Sequence, residues 1–396
     1  MRPVLPTLCH FGEAFSAYVR RPDAVRRQLD VIADAGYHGV RAWDTLGYYA
    51  GGWRGREVSP IAFINDAGQT ISPTPNYYEH LERFLIEHRG RGLIVHHSRG
   101  DLNSWAPSQI LDHCRLVGEV QRRVGLSVIG LNEAINECNM NIADYSVTFL
   151  RRMLAAINNP STIEALSTPP GQTEELDDLR AYAHDVFYVH GLRDHDPARM
   201  IVHLFTNGYE VAHATGTLGW QGEPTGPQIR PGPGVYGPPT NNVETLTLMC
   251  AMSLIAKQAW VYMSAEGVFW NNPIEGQPGF YEVPQVKSYL PRDIMRGRLL
   301  HGGRSEAAFT SPSGFYGDPG VTEGPARIDG AELPDGRGAW VIYGGRGRKR
   351  ALARRGFEGR VINTATGSEQ AIVLRPGESV EMSYEIGRLL VGRTTH

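Results

Sequence analysis

Ser127-Val128-Ile129-Gly130-Leu131-Asn132-Glu133-Ala134-Ile135-Asn136-Glu137-Cys138-Asn139 is the stretch on which the fold turns. Its first half carries a short apolar run, Val128, Ile129 and Leu131, and its second half becomes polar and ends in Asn136-Glu137. Ahead of it, from about Ser108 to Val124, lies an amphipathic stretch of helical character. A helix, a buried strand and then a polar strand end form the repeating unit of a parallel α/β fold, whose strands are covered by helices.

The same unit recurs on both sides of that stretch. Upstream, Leu8 to Tyr18 reads as a first strand and its loop. A helix from about Pro22 to Ala35 follows, with Val25, Leu29, Ile32 and Ala33 at helical spacing and Gly36 at its stop. Gly39-Val40-Arg41-Ala42-Trp43 is the second strand, followed by a long loop with Tyr48, Tyr49 and Trp53. A helix from about Asn76 to Gly90 then leads to the third strand, Leu93-Ile94-Val95-His96-His97.

Downstream, Thr162 to Ser167 is a fifth strand and Asp185 to His190 a sixth, rich in β-branched and aromatic residues. Thr217 to Gly222 is a seventh, leading to a Pro/Gly-rich loop, and Trp260-Val261-Tyr262-Met263 an eighth. Helices are expected over Glu174–Ala183, Pro197–Phe205 and Asn242–Lys257 between them. Eight such units predict an α/β protein with a (β/α)8 TIM barrel over residues 1–304. Beyond about Arg304 the chain turns to glycines, prolines and short β-like runs, Ala339 to Tyr343 and Ala371 to Leu374. Residues 305–396 are therefore expected to form a small C-terminal antiparallel β-sandwich domain.

Bulk properties bound the function. At 396 residues and 41% hydrophobic the chain has length and apolar content for one barrel and a companion module. A formal net charge of -3, with acids and bases interspersed, offers no basic stripe for a nucleic acid. Cys9, Cys114, Cys138 and Cys250 lie too far apart for a zinc motif and read as buried thiols. The N-terminus has no signal-like apolar stretch and no apolar run is long enough to span a membrane. The expectation is a cytoplasmic protein as written, or a secreted or virion-associated one if a signal was removed or the chain is phage-borne. No membrane partner is expected, and the oligomeric state is left open.

Active sites of such barrels lie at the C-terminal strand ends. Strand two ends in Arg41 and Trp43, strand four in Asn136-Glu137, strand six in His190, and strand seven leads to Glu223. Cleaving a glycosidic bond needs one carboxyl group to protonate the leaving oxygen and a second to attack or stabilise the anomeric carbon, and Glu137 and Glu223 form such a pair. Trp43, Tyr48, Tyr49, Trp53, Trp105, Trp220 and Trp270 fall near strand ends or in their loops, where aromatic faces stack on sugar rings or pack the core. Glu13, Asp44 and Arg99 also fall near strand ends.

The segment Glu133-Ala134-Ile135-Asn136-Glu137-Cys138-Asn139 resembles the Glu-x-x-Asn-Glu-Pro-Asn segment that ends strand four in the clan A glycoside hydrolases, whose catalytic carboxylates stand on strands four and seven. Gly39 to Trp43 resembles the strand-two segment of that clan, and Asp185 to His190 its strand-six segment. The resemblance implies a retaining β-glycosidase without cofactor or metal, acting on an oligo- or polysaccharide. Glu137 would be the acid/base, Asn136 would hold the sugar 2-hydroxyl, and Glu223, in Gln221-Gly222-Glu223-Pro224, would be the nucleophile with Arg41 near it. Trp43, His97, His190 and Trp270 would contact substrate.

Two departures keep rivals in play. Cys138 replaces the proline, and a second pair, Asn132-Glu133, precedes the first, so Glu133 competes with Glu137. Glu266, in Ser264-Ala265-Glu266-Gly267, competes with Glu223. Two other functions fit the same frame: a carbohydrate-binding or virion-type structural barrel without turnover, and a metal-dependent hydrolase using His96, His97 and His190, with Asp101 nearby.

Overall fold

The computed structural model describes residues 7–46, 57–64, 68–166, 181–182, 184–189, 218–225, 248, 258–262, 309–310, 327–332, 335–343, 347–384 and 387–395. The chain begins with β1 (Thr7–His10), α1 (Ala14–Arg20), α2 (Pro22–Asp34) and β2 (Gly39–Trp43). A two-stranded hairpin, β3 (Phe63–Ile64) and β4 (Thr70–Ile71), precedes α3 (Tyr77–Gly90), β5 (Ile94–Ser98) and α4 (Pro107–Val124). Next come β6 (Ile129–Glu133), the short α5 (Cys138–Asn141), α6 (Val147–Ile157), β7 (Ile163–Ala165), β8 (Val186–Val189), β9 (Leu218–Thr225) and β10 (Gln258–Tyr262).

Eight of these strands form one parallel sheet in the order β7-β6-β5-β2-β1-β10-β9-β8. They are the eight expected from the sequence, each within a few residues. Strands neighbour in chain order, and β10 returns beside β1, with Thr7 opposite Trp260. That is the strand order of a (β/α)8 barrel. β7 and β8 are the ends of the row, and among the described residues no ladder closes them.

Local chemistry accounts for the helices on the sheet's outer side. Pro22 supplies a preset φ at the first turn of α2, and Pro107 does the same for α4, where the Ala106 N–H donates to Gln109 Oε1 at 2.8 Å. In α6 the Ser146 hydroxyl caps the helix by accepting from the Phe149 N–H at 3.2 Å, and Phe149, Leu150, Met153, Leu154 and Ile157 form its buried face. α4 and α6 approach so closely that a Cβ on Gly118 would lie 1.9 Å from the Ile157 carbonyl oxygen. Neither α1 nor α6 is in the sequence reading, which gave Ala14–Tyr18 to a loop. The expected helices over 174–183 apart from Ala181 and Tyr182, over 197–205, and over 242–257 apart from Leu248, lie outside the described residues.

Among the described residues the regular elements of the C-terminal part are all strands. β11 (Phe309–Thr310), β12 (Arg327–Glu332), β13 (Arg337–Tyr343), β14 (Gly347–Ala353), β15 (Gly356–Ile362), β16 (Glu369–Leu374), β17 (Ser379–Tyr384) and β18 (Gly387–Thr395) make two antiparallel sheets, β11-β14-β17 and β12-β13-β18-β15-β16. One face of the larger sheet, with Trp340, Ile342, Phe357 and Leu390, meets Ala351, Ala353, Val380 and Met382 from the smaller. Residues of alternate parity, Ala339, Val341, Tyr343, Leu389 and Val391, join the core that holds Phe15, Leu29 and Leu248. The two-faced apolar character of β13 follows from this double duty.

Candidate functional site

Inside the parallel sheet, Leu8, Leu131, Ala165, Val186, Tyr188 and Trp220 pack into an apolar layer. Toward the C-terminal strand ends the layer gives way to charge. Arg41 on β2, His96 on β5 and Glu133 on β6 are all fully buried. Arg41 Nη2 donates to Glu133 Oε2 at 3.2 Å and to Asn136 Oδ1 at 2.5 Å, and His96 Nε2 lies 2.9 Å from Glu133 Oε2. The His96 ring meets Tyr188 and Trp220 edge-on, at 5.3 and 5.5 Å between centroids. The Arg41 guanidinium lies 5.9 Å from the Trp43 ring and 5.7 Å from that of Tyr188.

This arrangement separates the two Asn-Glu pairs. Glu133 is sealed between Arg41 and His96, whereas Asn132 points to the opposite face, exchanging hydrogen bonds with Gln121 of α4 at 2.8 and 3.1 Å. Asn136, beyond the strand end, turns back to Arg41. Glu137 next to it is half-buried and has a φ of 41°, one of three non-glycine residues at positive φ among the described residues. A side chain with a Cβ holds that conformation only where its surroundings enforce it.

The enforcing contacts are on the backbone. The Asn136 N–H donates to the Arg99 carbonyl at 2.8 Å, and the Asn141 side chain donates to the Asn136 carbonyl at 2.7 Å. The Asn141 N–H donates to the Glu137 carbonyl at 3.1 Å, and the Leu102 N–H to the Asn141 carbonyl at 2.7 Å. The segment after β5 and the segment after β6 thus form one interlocked unit.

A second buried polar cluster lies behind that unit, between the sheet and the helices. Asp44 Oδ2 is 3.2 Å from His97 Nε2 and 3.5 Å from Arg99 Nε, and its Oδ1 is 3.5 Å from His113 Nε2 on α4. Burial alone would raise the Asp44 carboxyl, but the Arg99 guanidinium together with His113 and His97 outweighs it and holds the group well below the usual carboxylate range. Burial pushes the His97 imidazole down, partly opposed by Asp44. Gln121 Oε1 accepts from Asn132 and Asn159, so its NH2 faces His97 Nδ1 at 2.9 Å; the imidazole proton therefore sits on Nε2, aimed at Asp44.

The sequence-predicted residues divide accordingly. Arg41, Trp43 and Asn136 come together, with Glu137 adjacent in the chain. His97, expected to contact substrate, stands on the other face of the sheet, 1% exposed and committed to Asp44 and Gln121. Adjacent strand residues point to opposite faces, so His96 and His97 do not converge on one ion and the metal-hydrolase arrangement built on that pair is corrected. Among the described residues no group of three or more His, Cys, Asp or Glu side chains could hold a metal ion, and no helix is long and apolar enough to cross a membrane.

Asp44 and Arg99 are sealed instead of lining a cleft, Trp220 is core, and Trp105 is buried against His113. Cys9, Cys114 and Cys138 are buried thiols, the last two pushed up by burial to about 12. Glu223 falls within β9, on the seventh strand of the sheet, but its side chain lies outside the described residues. His190, Glu266, Trp270, Tyr48, Tyr49, Trp53 and Cys250 lie outside them altogether. Sequence reasoning missed the His113–Asp44–His97 grouping, whose signal was His113 on the sheet-facing side of a helix.

No protein-family description and no curated protein matches the chain in sequence. In three dimensions it is similar to a glycoside hydrolase family 5 protein from Bacteroides vulgatus, with a TM-score of 0.60 at 11% identity over 98% of this chain and 89% of that one. A putative glycoside hydrolase from the same organism gives a TM-score of 0.63 at 11% identity, covering 98% and 78% of the two chains. A family 27 β-L-arabinopyranosidase from Geobacillus stearothermophilus, solved with arabinose, gives 0.55 at 8% identity, covering 99% and 98%. At these identities the likeness is one of fold: the chain shares the architecture of glycoside hydrolases along nearly its whole length.

Proposed function

We propose that this protein is a retaining glycoside hydrolase cleaving a β-glycosidic bond in an oligo- or polysaccharide, without cofactor, on a closed (β/α)8 barrel with a C-terminal β-sandwich domain. The observation that carries the reading is Glu137: a half-buried carboxylate just beyond the C-terminal end of the fourth parallel strand, fixed at positive φ beside an Asn that is clamped to a buried Arg. An acid/base must reach a substrate, and of the two rival glutamates only Glu137 is not sealed. The glycoside hydrolases of like fold support the substrate class.

In this reading Glu137 gives its proton to the leaving glycosidic oxygen while Glu223, on the seventh strand, attacks the anomeric carbon. Water, deprotonated by Glu137, then releases the sugar. Arg41, Trp43, Asn136, His190 and Trp270 orient the substrate.

The test is turnover of aryl glycosides and oligosaccharides by Glu137→Gln and Glu223→Gln, with Glu266→Gln as control, and proton NMR of the first anomer formed. Losses of several orders of magnitude in the first two, with a retained anomer, are expected. Near-parental activity in either variant removes that assignment, and an inverted anomer removes the mechanism.

A further inference from the structure

We propose that Asp44 is a positioning residue that sets the geometry of Glu137 through the segment 98–102, although it is sealed on the helix side of the sheet. This inference rests on Glu137 as the acid.

The connection is continuous. The Asp44 carboxylate faces Arg99 Nε at 3.5 Å, and its N–H donates to the Ser98 carbonyl at 2.9 Å. Next to it, Thr45 Oγ1 accepts from the Gly100 N–H at 3.1 Å. The approach is tight: a Cβ on Gly100 would lie 2.1 Å from the Thr45 carbonyl oxygen. On its far side the same segment presents the Arg99 carbonyl to the Asn136 N–H at 2.8 Å, and the Leu102 N–H to Asn141, which holds the Asn136 and Glu137 carbonyls. The Asp44 carboxylate at Arg99, the Asp44 N–H at Ser98 and the Thr45 hydroxyl at Gly100 therefore anchor three successive residues of the segment that grips the strained turn at Glu137.

Asp44 is itself fixed from every side. His97 Nε2 and His113 Nε2 lie 3.2 and 3.5 Å from its two oxygens, and the Tyr77 hydroxyl donates to its carbonyl at 2.5 Å. Neutralising it leaves Arg99 buried without its counter-charge, and the segment must shift to rehydrate or re-pair that guanidinium. Glu137 then loses the backbone contacts that keep it at positive φ.

The experiment compares Asp44→Asn, Thr45→Val and Glu137→Gln on phenyl and 2,4-dinitrophenyl β-glycosides of whichever sugar among glucose, mannose, xylose, galactose and cellobiose the parent cleaves fastest. The dinitrophenolate departs without a proton, so loss of a correctly placed acid spares it. For Asp44→Asn, kcat/KM is expected to fall about 100-fold on the phenyl substrate and less than about tenfold on the dinitrophenyl one. Thr45→Val, which removes only the Gly100 anchor, shows the same asymmetry at smaller size.

Equal losses on both substrates for Asp44→Asn and Thr45→Val, with asymmetry in Glu137→Gln, overturn the positioning role and leave the acid assignment intact. Symmetric behaviour of Glu137→Gln, or a parent that cleaves none of the glycosides, overturns the acid assignment. Hydrogen–deuterium exchange over 134–142 then decides the positioning independently of turnover. At least tenfold faster exchange there in both variants, with β5 and β6 protected as in the parent, is expected; parental exchange over 134–142 overturns the proposal.

Discussion

Truncating Glu133 strands charge. Its carboxylate pairs with Arg41 and meets His96 in a space closed to water, so Glu133→Ala removes a buried counter-charge of that guanidinium and is expected to cost about 3–5 kcal/mol in urea unfolding. Glu137→Gln, at a half-exposed turn, is expected to change stability by less than about 1 kcal/mol. A small loss at Glu133 would show that Arg41 finds another partner. This contrast was not legible in the letters, because both glutamates follow an Asn and both close an apolar run. What separates them is the turn after β6, which ends the strand alternation and points Asn136 back at Arg41 while Asn132 stays with the helices. Arg41 and Asn136 were legible because their motifs fall at strand ends. The Asp44 cluster was not, since its members come from three separate elements.

Among the elements, α3 carries a pH response. Burial pushes His88 down to about 4, its Nδ1 lying 2.8 Å from the Phe84 carbonyl. In the unfolded chain the imidazole takes a proton near 6.5, so below that pH the unfolded state binds more protons than the native one. Stability is expected to fall from about pH 6.5 to about pH 4 by roughly 3 kcal/mol from this residue and to level off below. His97 acts in the same direction. His88→Phe should shorten that limb in urea titrations at pH 7, 5.5 and 4, and an unchanged limb would remove His88 as its source.

The α4–α6 crossing makes a second expectation. Gly118→Ala drives a methyl against the Ile157 carbonyl and is expected to cost about 1–3 kcal/mol, read as a lowered Tm. Ser146→Ala, which removes the α6 cap, is expected to cost about 1 kcal/mol. The strands were legible because each is a short apolar run between polar breaks. α1 was not: Ala14, Phe15, Ser16, Ala17 and Tyr18 are all buried, so the helix shows no polar face and no period. α6 has both a cap and a stripe, and the signal for it was present.

For the whole molecule, the sheet containing β13 and β18 completes the core beside α1 and α2. Removing residues 305–396 takes its apolar residues out of that core, and the shortened chain is expected to bind a hydrophobic dye and aggregate; a soluble product with the parent's near-ultraviolet dichroism would refute this. The barrel order was readable from eight units, but the shared core was not, because alternate residues of β13 serve two different partners and the strand reads simply as apolar.

The pairing of β1 with β10 sets a timetable for synthesis. β1 leaves the ribosome long before the neighbour for one of its edges, Trp260 to Tyr262, which is made roughly 250 residues later. At about 5–20 residues per second that edge waits on the order of 12–50 s with its peptide groups unpaired. The parallel sheet cannot be finished in the order it is translated. Its first strand must be kept from other partners, by β2, by the helices already folded or by a chaperone, until the last parallel strand is delivered.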